Sequence, residues 1–140
     1  MKGLLDAALA YAARGWPVLP CRPDKAPYLH HGVHDSATDP QMLATWWSRW
    51  PDAAIGVACG PAGLFVVDCD VRPDLDGIRA FEALGILHDG ALHSQTPSGG
   101  LHIVFRNRGL PLGNSVKRLT PGTDTRGVGG YFIVPPSIIS

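Results

Sequence analysis

Two aspartates one residue apart, Asp68 and Asp70, close the stretch Leu64-Phe65-Val66-Val67-Asp68-Cys69-Asp70. Four consecutive apolar residues with a β-branched pair predict a buried strand, entered through a Gly60-Pro61-Ala62-Gly63 turn. Side chains alternate along a strand, so both acids share one face, with Cα atoms about 7 Å apart, while Cys69 points into the core. Two acids ending an apolar strand are costly to desolvate unless a positive group sits between them. The expected occupant is a hard divalent cation, Mg²⁺ or Mn²⁺, which takes oxygen ligands.

Further downstream lie groups that suit the same chemistry. Ser98-Gly99-Gly100 puts small residues and backbone N–H groups just before a strand, open to close approach by phosphate oxygens. His102 follows two residues on and can donate to a phosphate. Asp124, the one acid of residues 91–140, lies in a Gly-rich turn and can supply a third carboxylate. Arg126, on the same strand face, can orient Asp124 or grip an anion. Three carboxylates can hold two cations about 3.5–4 Å apart, which clamp the attacking and leaving oxygens of an in-line phosphoryl transfer. The acid pair alone is unspecific, since glycosyltransferases, phosphohydrolases, nucleases and polymerases all use one. No Ser-His-Asp spacing, HExxH or Walker A pattern is present.

The elements that must position these groups follow from pattern. The chain has 140 residues, 45% hydrophobic and 17% charged, which fits one soluble domain with a single core. The abundance of Gly (17) and Pro (13) implies many turns. No apolar run reaches the ~18 residues of a membrane span, and the N-terminus lacks the order of a secretory signal, so a cytoplasmic location is expected. Cys21, Cys59 and Cys69 are odd in number and far apart, and read as reduced thiols packed in the core. Net charge is zero but uneven: residues 1–90 carry 11 acids against 7 bases, residues 91–140 one acid against five bases. A basic half facing an acidic site suits a polyphosphate or nucleic-acid backbone, though a solvated basic face explains the count equally well.

Residues 3–14 predict a helix stopped by Gly15, and Trp16-Pro17-Val18-Leu19-Pro20 an edge strand. A loop over 21–37 carries Lys25, which can reach a phosphate or simply sit at the surface, and His30, His31 and His34. Pro27 and Gly32 argue against a helical metal pair there. Asp39 and Pro40 open a second helix, whose Leu43, Trp46, Trp47 and Trp50 form a core-facing stripe rather than a base-stacking set. Residues 54–58 predict a strand that forms a hairpin with the Asp68 strand. Asp74 or Asp76 reads as the cap of a third helix with Ile78, Phe81 and Leu84. His88 and His93 have no partner at useful spacing and read as structural or exposed. Strands are expected at 93–96, at 101–105 with His102 and Val104 on one face, within 120–127, and at 131–134. About six strands and three helices make an α+β domain with a mixed β-sheet core and flanking helices.

Taken in order, these segments resemble the primase–polymerase (prim-pol) domain of the archaeo-eukaryotic primase superfamily. The likeness runs through Gly15-Trp16-Pro17-Val18, Lys25-Ala26-Pro27, Ala37-Thr38-Asp39, Trp46-Trp47, Trp50-Pro51 and Ile55-Gly56-Val57. It continues through Val67-Asp68-Cys69-Asp70, Thr96-Pro97-Ser98-Gly99-Gly100-Leu101-His102, Asp124-Thr125-Arg126-Gly127, Gly130-Tyr131 and Pro135-Pro136-Ser137. The resemblance implies Asp68, Asp70 and Asp124 as ligands of two Mg²⁺ or Mn²⁺ ions. It implies Ser98, Gly100 and His102 at the triphosphate of an incoming dNTP or NTP, with Arg126 and Lys25 in support. It implies two packed αβ modules, the later one like the RNA-recognition fold, and template-directed nucleotidyl transfer on single-stranded or primed DNA in plasmid, phage or prophage replication. The family pattern continues beyond the Pro-Pro-Ser segment, so residues 1–140 are expected to be one catalytic domain cut from a longer replication protein with a helicase-type module downstream. The rival readings are a non-catalytic nucleotide or nucleic-acid binding module of the same fold, and a DxD glycosyltransferase or phosphohydrolase.

Overall fold

The computed structural model describes residues 3–107, 113–116 and 120–139. Within them the chain begins and ends in the same sheet. Helix α1 (Leu4–Ala13) forms over the Ala-rich start and stops at Gly15, whose φ of 84° suits glycine and little else. Strand β1 (Val18–Cys21) accommodates Pro20 because it is an edge strand. Helix α2 (Pro40–Arg49) starts where the Asp39 carboxylate accepts the Gln41 N–H at 3.1 Å. Its stripe faces inward: Leu43 and Trp47 are buried, and the Trp47 indole donates to the Ala53 carbonyl at 3.1 Å. Trp50 stacks on Tyr28 at 4.6 Å, so the tryptophans serve packing. Strand β2 (Ala54–Ala58) is buried throughout and lies between β1 and the last strand, β10 (Tyr131–Val134), antiparallel to both.

The second sheet has five antiparallel strands in the order β6-β7-β3-β9-β8. They are β3 (Leu64–Cys69), β6 (Leu92–Gln95), β7 (Leu101–Arg106), β8 (Ser115–Val116) and β9 (Thr123–Arg126). A small hairpin, β4 (Val71–Arg72) with β5 (Leu75–Asp76), leads into helix α4 (Gly77–Glu82), where the Asp76 carboxylate caps the Arg79 N–H at 2.9 Å. One face of this sheet, with Val67, Cys69 and Ile103, packs on Phe81 of α4. The other face, with Leu64, Val66 and Val104, joins Val57, Phe132, Val134, α1 and α2 in the main core. Alternation thus leaves the even-numbered residues of β3 and β7 facing the first sheet, which is where the acids lie.

The α+β class is the observed one, and three details differ from expectation. Strands β2 and β3 do not form a hairpin: a helical turn, α3 (Cys59–Ala62), ended by Gly63 at φ 69°, carries the chain from one sheet to the other. The described strands number ten rather than six, because short pairs such as β4 and β5 carry too few residues to show a period. His88 and His93 are not partnerless: their ring nitrogens lie 2.8 Å apart, and His88 also meets Glu82 at 2.7 Å. Among the described residues no helix is long and apolar enough to cross a membrane.

Candidate active site

Register places the candidate groups in a row. Ser94 of β6, His102 of β7, Asp68 of β3 and Asp124 of β9 are successive cross-strand partners. Partners in an antiparallel pair share a face with Cβ atoms about 5 Å apart, so Asp68 and Asp124 confront each other directly. Like charges in that position are destabilising. Each is flanked by a nitrogen-bearing side chain: His102 Nε2 lies 3.5 Å from Asp68 Oδ1, and the Arg126 guanidinium Nη2 lies 3.7 Å from Asp124 Oδ2. His102 is seated edge-on against Phe132 at 5.7 Å, which fixes its ring between the sheets. Arg126 is also held by its own Nη1, which donates to the Thr125 carbonyl at 3.0 Å.

Asp70 stands just past the end of β3, and its backbone is pinned on both sides. Its N–H donates to the Gly122 carbonyl at 2.7 Å, and its carbonyl accepts the Gly77 N–H at 2.7 Å. Gly77 has to be glycine: a Cβ there would overlap the Gly122 carbonyl oxygen and stand 2.7 Å from the Asp70 oxygen. The start of α4 therefore presses β3 and the turn before β9 together, and so sets Asp70 beside the other two acids. Arg72 Nη2 lies 3.5 Å from its carboxylate.

The electrostatics separate the two acids of β3. Burial works to raise the pKa of Asp68, but the His102 hydrogen bond and the charges of His102, Arg126 and Lys25 outweigh it and hold the group below its ordinary value. Asp70 goes the other way: desolvation, then repulsion from Asp68 and Asp124, raises it against the pull of Arg72 and Lys25. The three carboxylates thus sense one another although they come from two distant stretches of chain. All three thiols are buried and pushed up to about 12, chiefly by desolvation, which leaves them inert.

Asp68 and Asp70 border a cleft of about 720 Å³ shared with Lys25, Ser94, Thr96, Ser98, Gly99 and His102. Ser98 is exposed on the turn joining β6 and β7, closed by Thr96 N–H to the Gly100 carbonyl at 3.0 Å, with Gly99 at φ 88°. Gly100 is buried against β3, where a Cβ would overlap the Cys69 carbonyl. Its absent side chain lets the turn lie flat against the acid strand, a part the motif alone did not reveal. Lys25 and Arg126 meet Asp68, His102 and Asn114 again around a smaller cavity of about 220 Å³. A larger cleft, about 880 Å³, lies at the other end of β3 and β7 among Arg14, Trp16, Leu64 and Arg106. Among the described residues no carboxylate lines it, so size does not mark the site.

The structure thus places Lys25, Asp68, Asp70, Ser98 and His102 around one cleft and Arg126 with Lys25, Asp68 and His102 on the smaller cavity; Asp124 joins them as the cross-strand partner of Asp68, and Gly100 lies buried against β3 below the Ser98 turn. Sequence reasoning missed Gly77, Gly122 and Tyr131, whose hydroxyl donates to the Lys25 carbonyl at 2.6 Å. Of these only Gly122, beside Pro121, carried a local turn signal. Among the described residues no three His, Cys, Asp or Glu side chains close on one point as a metal cage; the acids neighbour one another, with Asp68, Asp70 and Asp124 turned toward His102, Arg72 and Arg126. The three carboxylates offer only oxygen donors, with the Cys69 thiol buried on the opposite face, the donor chemistry that a hard cation such as Mg²⁺ or Mn²⁺ would take.

Asp68 and Asp124, paired across adjacent antiparallel strands with Asp70 beside them, and a cleft bordered by Lys25, Ser98 and His102 make up the candidate site on an α+β scaffold. The model of the Prim-Pol family, the N-terminal domain of bifunctional DNA primase/polymerases, matches residues 8–140, and the chain belongs to that family. Its members are primase/polymerase-type nucleotidyl-transfer domains, to which nucleotide and DNA template binding belong. No curated protein matches the chain.

Proposed function

We propose that this domain catalyses metal-dependent, template-directed nucleotidyl transfer in the replication of a plasmid, phage or prophage. A primer 3′-oxygen bonds to the α-phosphorus of a dNTP or NTP, the bond from that phosphorus to the bridging oxygen breaks, and pyrophosphate departs. The hydroxyl proton passes to solvent. Asp68, Asp70 and Asp124 would hold Mg²⁺ or Mn²⁺, which supplies the charge that activates the hydroxyl and neutralises the leaving group. The residues of the chain position and screen. His102 and Ser98 bind triphosphate oxygens, Lys25 adds a positive charge, and Arg126, 3.7 Å from the Asp124 carboxylate, aims it. A single-stranded or primed DNA template supplies the pairing partner for the incoming nucleotide.

The observation that carries this reading is the direct confrontation of Asp68 with Asp124 across adjacent strands, beside Asp70. Such a pairing costs folding energy, and a cation-dependent reaction gives a reason for it. Incorporation of labelled dNTP on a primed template tests it. Activity that requires Mg²⁺ or Mn²⁺ and disappears in Asp70→Asn supports the reading; metal-independent incorporation, or none, overturns it.

A further inference from the structure

Lys25 is the candidate least tied to a regular element, yet its backbone is tightly specified. Its φ of 77° lies in the left-handed region, which side-chain-bearing residues avoid. The turn around it is closed by the Lys25 N–H to the Arg22 carbonyl at 2.8 Å and the Arg22 N–H to the Ala26 carbonyl at 2.7 Å. The Ala26 N–H also donates to Asp24 Oδ1 at 2.9 Å. These bonds shape the turn but do not fix where it stands relative to the acids, 43 residues and one sheet away. The two ends of the turn are tied to the first sheet, through Cys21 paired with Ala54 and the Tyr28 N–H donating to the Pro20 carbonyl at 3.0 Å; at its tip the Tyr131 hydroxyl, from the first residue of β10, donates to the Lys25 carbonyl at 2.6 Å. The Tyr131 ring is itself immobilised between the turn and β2. It packs with Leu19, Cys21 and Ala54, and its Cδ2 would stand 3.1 Å from a Cβ at Gly56. Lys25 borders both cavities of the site together with Asp68.

We propose that Tyr131 is a positioning residue for nucleotide binding: its hydroxyl holds the strained 22–26 turn so that the Lys25 ammonium faces the triphosphate side of the acid cleft. The claim rests on the nucleotidyl-transfer reading for its substrate and adds to it a residue that touches no reacting atom. The left-handed Lys25 makes the device sensitive. Without an anchor the turn can relax toward ordinary φ and carry the ammonium with it.

A double-mutant cycle over Tyr131→Phe and Lys25→Ala tests the claim, because Phe keeps the ring and removes only the hydroxyl. The KM for dNTP should rise about three- to tenfold in Tyr131→Phe, the range one net hydrogen bond supports, with kcat within about twofold. In the Lys25→Ala background the same change should have no further effect, since its intermediary is gone. Additive effects in the two variants, an effect on kcat alone, or a Tyr131→Phe chain that behaves as the wild type would overturn the claim. Calorimetric titration of the same four chains with dATP and Mn²⁺ reads the cycle without turnover. If the wild type binds dATP but does not incorporate it, transfer fails as a reading and the cycle still decides the role of Tyr131. If it does not bind dATP, both fall.

Discussion

Replacing Gly77 with alanine should damage the site through packing alone. The substitution removes no charge, no candidate ligand and no hydrogen-bonding atom. The new Cβ would stand 2.7 Å from the Asp70 carbonyl oxygen and 2.9 Å from its nitrogen, and closer still to the Gly122 oxygen. Reaching an ordinary contact of 3.4 Å requires the backbone at Asp70 to retreat by about 0.7 Å. Two hydrogen bonds of 2.7 Å run through that contact and would stretch with it. Overpacking of this kind costs about 1–3 kcal/mol, and the better helix propensity of alanine in α4 returns at most ~1 kcal/mol. A net loss of about 1–2 kcal/mol corresponds to a Tm lower by roughly 3–8 °C for a chain of this size. The effect on activity should be larger, since a misplacement approaching 1 Å costs on the order of 100-fold in rate. Thermal unfolding and primer extension of Gly77→Ala, with Gly90→Ala as a control, provide the assay, because a Cβ at Gly90 meets nothing within 4 Å. If Gly77→Ala keeps the Tm and the activity of the control, the idea that α4 sets Asp70 by close backbone approach is wrong.

Other outcomes follow from the same geometry. At neutral pH Asp70→Asn should raise Tm, because the native fold holds that carboxyl above its unfolded value and ionising it costs stability as pH rises through the folded pKa; the gain should shrink on acidification. Asp68→Asn should lower Tm, because Asp68 is depressed and contributes stability that is present above its unfolded pKa and lost as pH falls through the folded one; scanning fluorimetry between pH 4 and 8 in EDTA reads both signs. His102→Ala should move the pKa of Asp68 upward and raise the KM for dNTP more than it lowers kcat, and an effect confined to template affinity would count against the triphosphate role. Iodoacetamide at pH 8 should leave Cys21, Cys59 and Cys69 unlabelled in the folded chain and label all three in denaturant.

Much of the site could be read from the sequence because it is written in strand periodicity. Alternation in Leu64–Cys69 and in Leu101–Phe105 put Asp68 and His102 on definite faces, and the observed register makes them partners. The capping preference of aspartate likewise marked two helix starts, at Asp39 and, of the two candidates Asp74 and Asp76, at Asp76. What escaped is non-local. The return of β10 to β2 across more than 70 residues has no signature in either segment, so β2 and β3 looked like neighbours and were expected to pair. His88 and His93 meet across a turn whose spacing fits neither helix nor strand. Gly77 and Gly100 resemble ordinary small residues until the backbone each one lies against is known. A glycine required by φ is often marked by its neighbours, whereas one required by close approach is marked only by the fold.

The central claim is that acids from two separate strands form one cation site. Mn²⁺ titration in the presence of a non-hydrolysable dNTP analogue, followed by electron paramagnetic resonance, tests it on wild type, Asp68→Asn and Asp124→Asn. Both variants should weaken Mn²⁺ binding by at least about tenfold, to similar extents, as shared ligands require. If Asp124→Asn binds Mn²⁺ as the wild type does while Asp68→Asn does not, the strands do not share an ion, and the confrontation of Asp68 with Asp124 is a feature of the sheet and not of the chemistry.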